Sequence, residues 1–327
     1  MRVAINGFGR IGRMIARLIQ DQPGIELVAI NDRADVATMA HLLKYDSVHG
    51  KFPNPILVGA NELCINGKSV AWFQENKPKN IPWPNVDIVF EATGVFKGKE
   101  TFDHLGTGRA QKVIITAPTN DADIKTVVMG VNEEILSKED VVVSNASCTT
   151  NNAAPMIQAL DQLCGIEQGY ITTVHSYTGD QRLHDAPHQD LRRARAATQS
   201  IVPTTTGAAK AITKIFPHLE GKLGGCGIRV PVPDGSLTDI TCTVRNPVSM
   251  EEINAFFKET AEGKWKGILG YTEDPIVSVD IIGNPLSCLV DGQLTSVLGS
   301  MVKVVGWYDN EAGYSNRLLD LAKRFCQ

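Results

Sequence analysis

The chain has 327 residues, of which 43% are hydrophobic and 21% charged, with a net charge of −4. This composition is typical of a folded globular protein of about two domains and excludes a largely disordered chain. No apolar run reaches the roughly 18 residues of a transmembrane helix, and the acidic balance argues against a nucleic-acid-binding protein.

The seven cysteines are widely spaced, odd in number, and include no C-x-x-C pair. This pattern is unlike a disulfide framework or a zinc ribbon, and no His/Cys pair has a convincing metal-ligand spacing. The chain begins at once with a strand-like segment, so we expect no secretory signal. These features predict a cytoplasmic protein without a metal site.

The first half of the chain alternates apolar strands with helices. A strand is predicted at Val3–Asn6, an amphipathic helix from Arg10 to Gln22, and a second strand at Glu26–Asn31. Further apolar runs predict strands at 87–94, 112–116, 126–130 and 141–145. Short apolar strands separated by helices indicate a parallel sheet that is covered on both faces.

The pattern changes after about residue 148. An Ala-rich helix is predicted from Cys148 to about Leu163, and a strand over residues 170–177. The segment 178–206 shows no period, and residues 227–234 and 236–246 are typical of antiparallel strands. Helices are predicted near 249–261 and over the last 14 or so residues, the latter amphipathic enough to pack on the first domain.

The first chemical signal is the sequence G-F-G-R-I-G, with Gly7, Gly9 and Gly12 between a strand and a helix. The missing side chains let a pyrophosphate approach the backbone N–H groups at the helix N-terminus. Asp32, at the end of the second predicted strand, is the acidic residue expected at the ribose hydroxyls. The alternative is a glycine-rich turn followed by a solvated aspartate.

The second signal is Cys148 in S-N-A-S-C-T-T-N, between a strand and a helix. A cysteine in the first turn of a helix feels the helix dipole, so we expect the pKa of its thiol to fall. The alternative, a buried apolar cysteine, suits the other six better. A cysteine nucleophile needs a base, and His175 lies at the end of a predicted strand, in T-V-H-S-Y-T-G-D.

The third signal is a distributed set of anion ligands. Arg195 lies in L-R-R-A-R, Thr206 and Gly207 end P-T-T-T-G at a predicted helix N-terminus, and Arg229 lies in G-I-R-V-P. Arginine forks, hydroxyls and helix N-termini are the groups that bind phosphate. Each alone is weak, because the arginines also fit an ordinary charged surface or a subunit contact.

Several motifs resemble those of the phosphorylating glyceraldehyde-3-phosphate dehydrogenase family. They are INGFGRIGR at 5–13, HLLKYDSVHG at 41–50, SNASCTTN at 144–151, HSYTGDQR at 175–182, DLRRARAA at 190–197, PTTTGAAKA at 203–211 and WYDNEAGYSNR at 307–317. The resemblance implies an α/β chain with a Rossmann-type doubly wound parallel sheet and an α+β catalytic domain whose mixed sheet is largely antiparallel. The implied domains are residues 1–147, completed by a C-terminal helix at 313–327, and residues 148–312. A homotetramer is implied as well, with the segment around 178–203 reaching a neighbouring subunit.

The resemblance also implies residue roles. Cys148 is similar to the nucleophile and His175 to its base. The positions that match NAD-binding residues are Gly7, Gly9, Arg10, Ile11, Gly12, Asp32, Thr93, Gly94, Thr116 and Asn310, with Lys77 and Phe96 matching more loosely. Thr178 and Arg229 match the site of the substrate's own phosphate. The site of attacking inorganic phosphate is matched by Ser147, Thr149, Arg195, Thr206 and Gly207.

The implied reaction oxidises D-glyceraldehyde 3-phosphate through a Cys148 thioester, which inorganic phosphate converts to 1,3-bisphosphoglycerate. The chain departs from the family in having Asn152 where a second cysteine is common, Ala186 in place of a leucine, and Arg33 directly after Asp32. Alternatives are an erythrose-4-phosphate dehydrogenase, a non-phosphorylating aldehyde dehydrogenase and, from another class, a non-catalytic or moonlighting cofactor-binding protein. No membrane or nucleic-acid partner is expected.

Overall fold

The structure of the protein is a computed structural model that describes residues 1–205 and 207–327, with Ala208 described by its backbone alone. Thr206, one of the predicted phosphate ligands, lies outside the described residues. The chain forms two compact units. The first contains Met1–Val127, Glu133–Ala146 and Ser315–Gln327, and the second contains Val128–Asn132 and Ser147–Tyr314.

The first unit is built on a nine-stranded sheet. Its helices are α1 (Arg10–Ile19) and α2 (Val36–Lys44). The nine strands of the sheet are β1 (Arg2–Asn6), β2 (Glu26–Asn31), β5 (Ile56–Val58), β6 (Glu62–Ile65), β7 (Lys68–Phe73), β8 (Val86–Glu91), β9 (Ala110–Ile115), β10 (Lys125–Thr126) and β11 (Val142–Ser144). Two further strands, β3 (Tyr45–Asp46) and β4 (Gly50–Lys51), form a separate two-stranded ribbon. The strand order is β10-β11-β9-β8-β1-β2-β7-β6-β5.

Seven strands of this sheet, from β10 to β7, are parallel, and β6 and β5 add an antiparallel edge. The side chains of Val3, Ile5, Val89 and Phe90 are fully buried, as expected for parallel strands that are covered on both faces. The predicted strand at 126–130 is wrong beyond Thr126. Val127 N still donates to the Ser144 carbonyl at 2.8 Å, but the strand ends there and Val128 lies buried in a loop, because apolar character by itself does not distinguish a strand from a buried loop.

The second unit is built on an eight-stranded mixed sheet. Its helices are α3 (Cys148–Cys164), α4 (Ala208–Ile215) and α5 (Met250–Glu262). Its strands are β12 (Ile166–Ser176), β13 (Val202–Thr204), β14 (Leu223–Val230), β15 (Ser236–Val244), β16 (Leu269–Thr272), β17 (Cys288–Asp291), β18 (Ser296–Leu298) and β19 (Met301–Tyr308). The last helix of the chain, α6, spans Ala312–Phe325.

The strand order in this sheet is β13-β14-β12-β15-β19-β17-β16, with β18 beside β19. β15 pairs antiparallel with β12 and β19, as predicted, whereas β14 runs parallel to β12. The parallel pairing follows from the connection, because the long segment after β12 and helix α4 return the chain to the same end of the sheet. Residues of β15 alternate between buried and half-buried, so one face of the sheet lies under helices and the other is partly open.

The predicted fold class, an α/β chain with a Rossmann-type sheet and a separate mixed sheet, is confirmed. Among the described residues, no helix combines the length and the apolar character that crossing a bilayer requires.

Candidate active site

A cavity of about 350 Å³ lies in the first unit, where β1, β2 and β8 end. The chain leaves β1 toward β2 on one side and later toward β8 on the other, so this edge is a topological switch point, the usual ligand site of an open α/β sheet. Five predicted cofactor-binding residues line the cavity, namely Gly7, Gly9, Asp32, Thr93 and Phe96.

The glycines of the first turn shape this cavity. Gly7 has a φ of +92°, and a Cβ there would lie 2.6 Å from the backbone nitrogen of Thr93. A Cβ on Gly12 would lie 2.2 Å from the Gly7 carbonyl oxygen, so only glycine lets α1 pack against the turn. A Cβ on Gly9, in contrast, would meet no atom within 4 Å. The space over Gly9 and the start of α1 therefore fit a pyrophosphate that approaches backbone N–H groups.

Asp32 follows β2 directly and is fixed by two backbone donors. Its Oδ2 accepts from Phe8 N at 2.7 Å and its Oδ1 from Ala34 N at 2.9 Å. Each oxygen keeps one lone pair for a further donor, which suits the two hydroxyls of a ribose. Arg33 also lines the cavity. Strand alternation would point Arg33 away from Asp32, but β2 ends at Asn31, so alternation does not apply to this pair.

The remaining predicted cofactor residues lie outside the cavity lining. Arg10, at the start of α1, donates from Nη1 to Asp46 Oδ2 at 2.8 Å, and Ile11 follows it in the same turn. Gly94, with a φ of +69°, follows Thr93, and Thr116 N donates to the Glu91 carbonyl at 3.0 Å. Lys77 precedes a short 3-10 turn, whereas its neighbours Glu75 and Asn76 line the cavity.

Asn310 belongs to the second unit, where it holds two strands together. Its Oδ1 accepts from Ser176 Oγ at 2.9 Å and from Ser236 Oγ at 2.7 Å. Ser176 ends β12 and Ser236 begins β15, so the amide group of Asn310 is oriented at the end of the sheet where His175 lies.

Cys148 and His175 are brought together in the second unit. Cys148 is the first residue of α3, and Ser147 caps this helix by accepting from Thr150 N at 3.1 Å. His175 lies one residue before the end of β12. The Cys148 Sγ atom lies 3.5 Å from His175 Nε2, within reach of proton transfer.

The other edge of the His175 ring faces two groups of opposite character. Nδ1 lies 2.8 Å from the Ser176 carbonyl oxygen, an acceptor, and 2.5 Å from Arg229 Nη1, a donor and a cation. Arg229 is the register partner of His175 on β14. Burial, and after it the Arg229 charge, lower the pKa of His175 to about 3. The imidazole is therefore neutral at pH 7.

The pKa of the Cys148 thiol is raised, contrary to the prediction from the helix dipole. Burial is the largest cause, and it outweighs the lowering by Arg229 and by the N–H of Thr149. A first-turn dipole contributes only about 0.3–1 kcal/mol, which desolvation of a thiolate readily exceeds. The resting pair is accordingly a thiol and a neutral imidazole rather than a thiolate and an imidazolium.

The predicted anion ligands are only partly gathered. Arg229 lies beside His175, and Thr149 Oγ1 lies 3.0 Å from the hydroxyl of Tyr308, whose ring is edge-on to His175. Thr178 follows β12, and its N–H donates to Gln181 Oε1 at 3.4 Å. Gly207 caps α4. Arg195 is instead exposed and donates from Nε to Asp185 Oδ2 at 2.9 Å, so its charge is directed at a carboxylate.

Two family models cover most of the chain. The NAD-binding domain of glyceraldehyde 3-phosphate dehydrogenase matches residues 1–99, and the C-terminal domain of the same enzyme matches residues 147–310. Three relatives named glyceraldehyde-3-phosphate dehydrogenase are similar over 98% of this chain and 97% of their own length. They are glyceraldehyde-3-phosphate dehydrogenase 2 of Streptomyces avermitilis, which is 52% identical, and the enzymes of Geobacillus stearothermophilus and Thermotoga maritima, which are 52% and 54% identical.

The chain belongs to the glyceraldehyde-3-phosphate dehydrogenase family. NAD is therefore its cofactor.

Sequence reasoning missed several groups at the two sites of this family member. The cavity is also lined by Asn6, Asn31, Glu75, Asn76, Ala92 and Val95. Asn6 and Asn31 each end a strand, and polar residues at that position are a signal that the sequence offered. Arg193 was missed as well. It donates from Nη1 to Asp180 and also lowers the pKa of His175, but nothing in the run of arginines distinguishes it from Arg195.

Proposed function

We propose that the protein catalyses the reversible, NAD-dependent oxidative phosphorylation of D-glyceraldehyde 3-phosphate to 1,3-bisphosphoglycerate in glycolysis or gluconeogenesis. The observation that carries the proposal is the 3.5 Å contact between Cys148 Sγ and His175 Nε2, with the cation of Arg229 beside it. A nucleophile, a base and an anion ligand at one point are what acyl transfer to phosphate requires.

The chemistry follows from the neutral thiol–imidazole pair. His175 Nε2 accepts the thiol proton as Cys148 Sγ attacks the aldehyde carbon, and the proton is passed to the new hydroxyl of a hemithioacetal. Bound NAD supplies the acceptor for the hydride of that carbon. His175 Nε2 removes the hydroxyl proton as the hydride leaves, and a Cys148 thioester remains. Phosphate then attacks the thioester carbon, the C–S bond breaks, and the leaving Cys148 thiolate takes the proton that His175 Nε2 holds.

Two groups of polar residues are assigned to the two phosphates. We assign Arg229 and Thr178 to the phosphate of the aldehyde, because Arg229 presents its charge beside the reacting pair. We assign Ser147, Thr149, Arg195, Thr206 and Gly207 to the attacking phosphate. For Arg195 this assignment requires that it leave Asp185, an exposed ion pair of the kind that is typically worth less than about 1 kcal/mol.

We assign cofactor binding to the first compact unit and catalysis to the second. We also propose a homotetramer. Tyr170 and Met301 are 51% and 42% exposed on the open face of the second sheet, and Leu183, Leu191 and Ile201 are at least 67% exposed in the segment after β12. Large apolar side chains left open in this way are typical of subunit contacts. The seven free cysteines fit the cytoplasm, to which we assign the protein.

The test is an absorbance assay of NADH formation from glyceraldehyde 3-phosphate, with and without inorganic phosphate. We expect sustained turnover only with phosphate, weak turnover of erythrose 4-phosphate, and none in Cys148→Ala, because no other nucleophile can form the thioester. Cys148→Ala should still bind NAD in calorimetry, which shows that the variant is folded. Substantial activity of Cys148→Ala, or turnover that is independent of phosphate, would contradict the proposal.

A further inference from the structure

A buried carboxylate lies directly beneath the nucleotide cavity of the first unit. Glu91 is the last residue of β8 and is 1% exposed. Its Oε2 accepts from Asn6 Nδ2 at 2.5 Å and faces His104 Nε2 at 2.9 Å. Its Oε1 accepts from both the N–H and the hydroxyl of Thr93. The carboxylate therefore has four donors, the number that an ionised carboxylate can take.

The direction of these hydrogen bonds is fixed by a tryptophan. Trp83 Nε1 lies 2.9 Å from His104 Nδ1, and an indole nitrogen can only donate. Nδ1 of His104 must then be the acceptor, so the ring proton is on Nε2 and is donated to Glu91. His104 and Trp83 are 0% and 3% exposed, so water does not compete for these contacts. The pair Trp83–His104 thus holds a donor against the Glu91 carboxylate.

The chain of hydrogen bonds continues under the cavity. Asn6 Oδ1 accepts from Asn31 Nδ2 at 2.8 Å, and Asn31 Oδ1 accepts from the N–H of Glu75 at 2.8 Å. The network therefore joins the ends of β8, β1 and β2 to the segment after β7. Four of its members, Asn6, Asn31, Glu75 and Thr93, also line the cavity. The network therefore forms part of the wall of the cavity that would hold the dinucleotide.

Thr93 transmits the position of Glu91 to the phosphate-binding turn. Both of its donors are used on Glu91, and its hydroxyl oxygen accepts from Val95 N at 3.1 Å, which shapes the loop leading to Phe96. The backbone of Thr93 also lies against Gly7, where a single Cβ would approach to 2.6 Å. Movement of Thr93 would therefore move the turn that receives the pyrophosphate, because close-packed backbone cannot absorb the shift.

We propose that Glu91 is the positioning residue of the nucleotide site, held as an acceptor by His104 and Trp83. It touches neither the substrate nor the reacting atoms. Its role is to fix the Thr93 loop and the Gly7 turn in the geometry that binds a dinucleotide. The proposal deepens the NAD-binding role of the first unit and rests on it.

The test replaces Glu91 by glutamine, which keeps the shape but puts an NH₂ group where an acceptor is required. At least one of the four groups that donate to Glu91 then faces the NH₂ group of the glutamine, which cannot accept, and the Thr93 loop shifts. We expect the Kd for NAD, measured by calorimetry, to rise at least tenfold in Glu91→Gln. Trp83→Phe removes the donor to His104 together with part of a core side chain, and we expect a rise of about two- to fivefold in the Kd for NAD. The rate at which iodoacetamide alkylates Cys148 without NAD should not change, because Cys148 lies in the second unit.

A matched control separates positioning from general destabilisation. Val89 is fully buried on β8 but outside the network, so Val89→Ala should lower the Tm without changing the Kd for NAD. An unchanged Kd for NAD in Glu91→Gln would overturn the proposal. It would also be overturned if Val89→Ala, at an equal loss of Tm, raised the Kd as much as Glu91→Gln does.

A spectroscopic signature covers the case in which Glu91→Gln does not fold. In ¹⁵N-histidine NMR of the full chain, His104 should be the Nε2–H tautomer, because the Glu91 carboxylate accepts from Nε2 while Trp83 donates to Nδ1. An Nδ1–H tautomer in the unmutated protein, or an unchanged Kd in Trp83→Phe, would overturn the proposal. Because NAD binding is measured without turnover, a protein that binds NAD through this network but does not oxidise the aldehyde would refute the proposed function alone.

Discussion

Replacing Arg229 by leucine is expected to raise the pKa of His175. Burial is the larger cause of the low pKa of about 3, and the Arg229 charge is the second. Two unit charges about 4 Å apart interact by about 4 kcal/mol at an effective dielectric constant of 20, and one pH unit corresponds to about 1.4 kcal/mol. An interaction of this size corresponds to about three pH units. Because burial accounts for more of the lowering than Arg229 does, we expect a rise of about one to two pH units.

The measurement is a ¹⁵N-histidine NMR titration of His175, carried out in a Cys148→Ala background so that the thiol does not titrate alongside. Arg195→Leu is the matched control, because Arg195 is exposed and paired with Asp185. That variant should leave the pKa of His175 unchanged. If Arg229→Leu also left it unchanged, the 2.5 Å contact between Arg229 and His175 would not carry the electrostatic weight assigned to it.

The same pKa makes the stability of the fold sensitive to acid. Unfolded His175 takes up a proton below its ordinary pKa of 6.5, whereas the folded residue does so only near 3. The stabilisation is therefore complete above pH 6.5 and is lost as the pH falls toward 3, amounting to about 5 kcal/mol in all. Because Arg229→Leu raises the pKa of folded His175, the pH range over which this stabilisation is lost should end at a higher pH in that variant. The measurement is the urea midpoint as a function of pH, compared with that of His175→Asn, in which the acid-sensitive contribution should be absent.

Four further outcomes are expected. His175→Asn should keep the fold, slow turnover by roughly 10²–10⁴-fold and slow alkylation of Cys148, and unchanged values of both rates would assign the base elsewhere. Arg195→Leu should raise the phosphate concentration that gives half-maximal turnover, because it loses a charge-assisted contact of about 1.5–3 kcal/mol. If the variant gave the same phosphate titration as the unmutated protein, Arg195 would not be a phosphate ligand. Asp32→Gly should raise the ratio of NADP to NAD efficiency in kcat/KM from a strong initial NAD preference, and equal efficiencies in the unmutated protein would refute the role of Asp32. Peroxide should oxidise Cys148 to sulfenic and higher acids, because Asn152 in the next helical turn offers no thiol, and peptide mapping that found Cys148 bridged to another cysteine of the same folded chain would contradict this.

Local pattern was sufficient where short-range sterics decide the structure. The strand Glu26–Asn31 has the predicted bounds, and α3 begins at Cys148 as predicted, because the apolar run and the serine cap are complete within a few residues. The turn with Gly7 was predictable for the same reason, since the crowding that excludes a side chain arises where a tight turn meets a helix. The sequence by itself also indicated the α/β class and the family, through motifs that run along nearly the whole chain.

Tertiary structure alone decided what depends on atoms distant in the sequence. One histidine in seven lies against Cys148 because β12 and α3 pack side by side, and no periodicity encodes that choice. The dipole of α3 predicted a lowered pKa for Cys148, but burial reversed the direction. Glu91 appeared in the sequence only as the end of an apolar strand, and its four donors come from residues 2 to 85 positions away. Desolvation and hydrogen bonding depend on all the groups that surround an atom in space. Local sequence patterns identify only the neighbours that are also close along the chain.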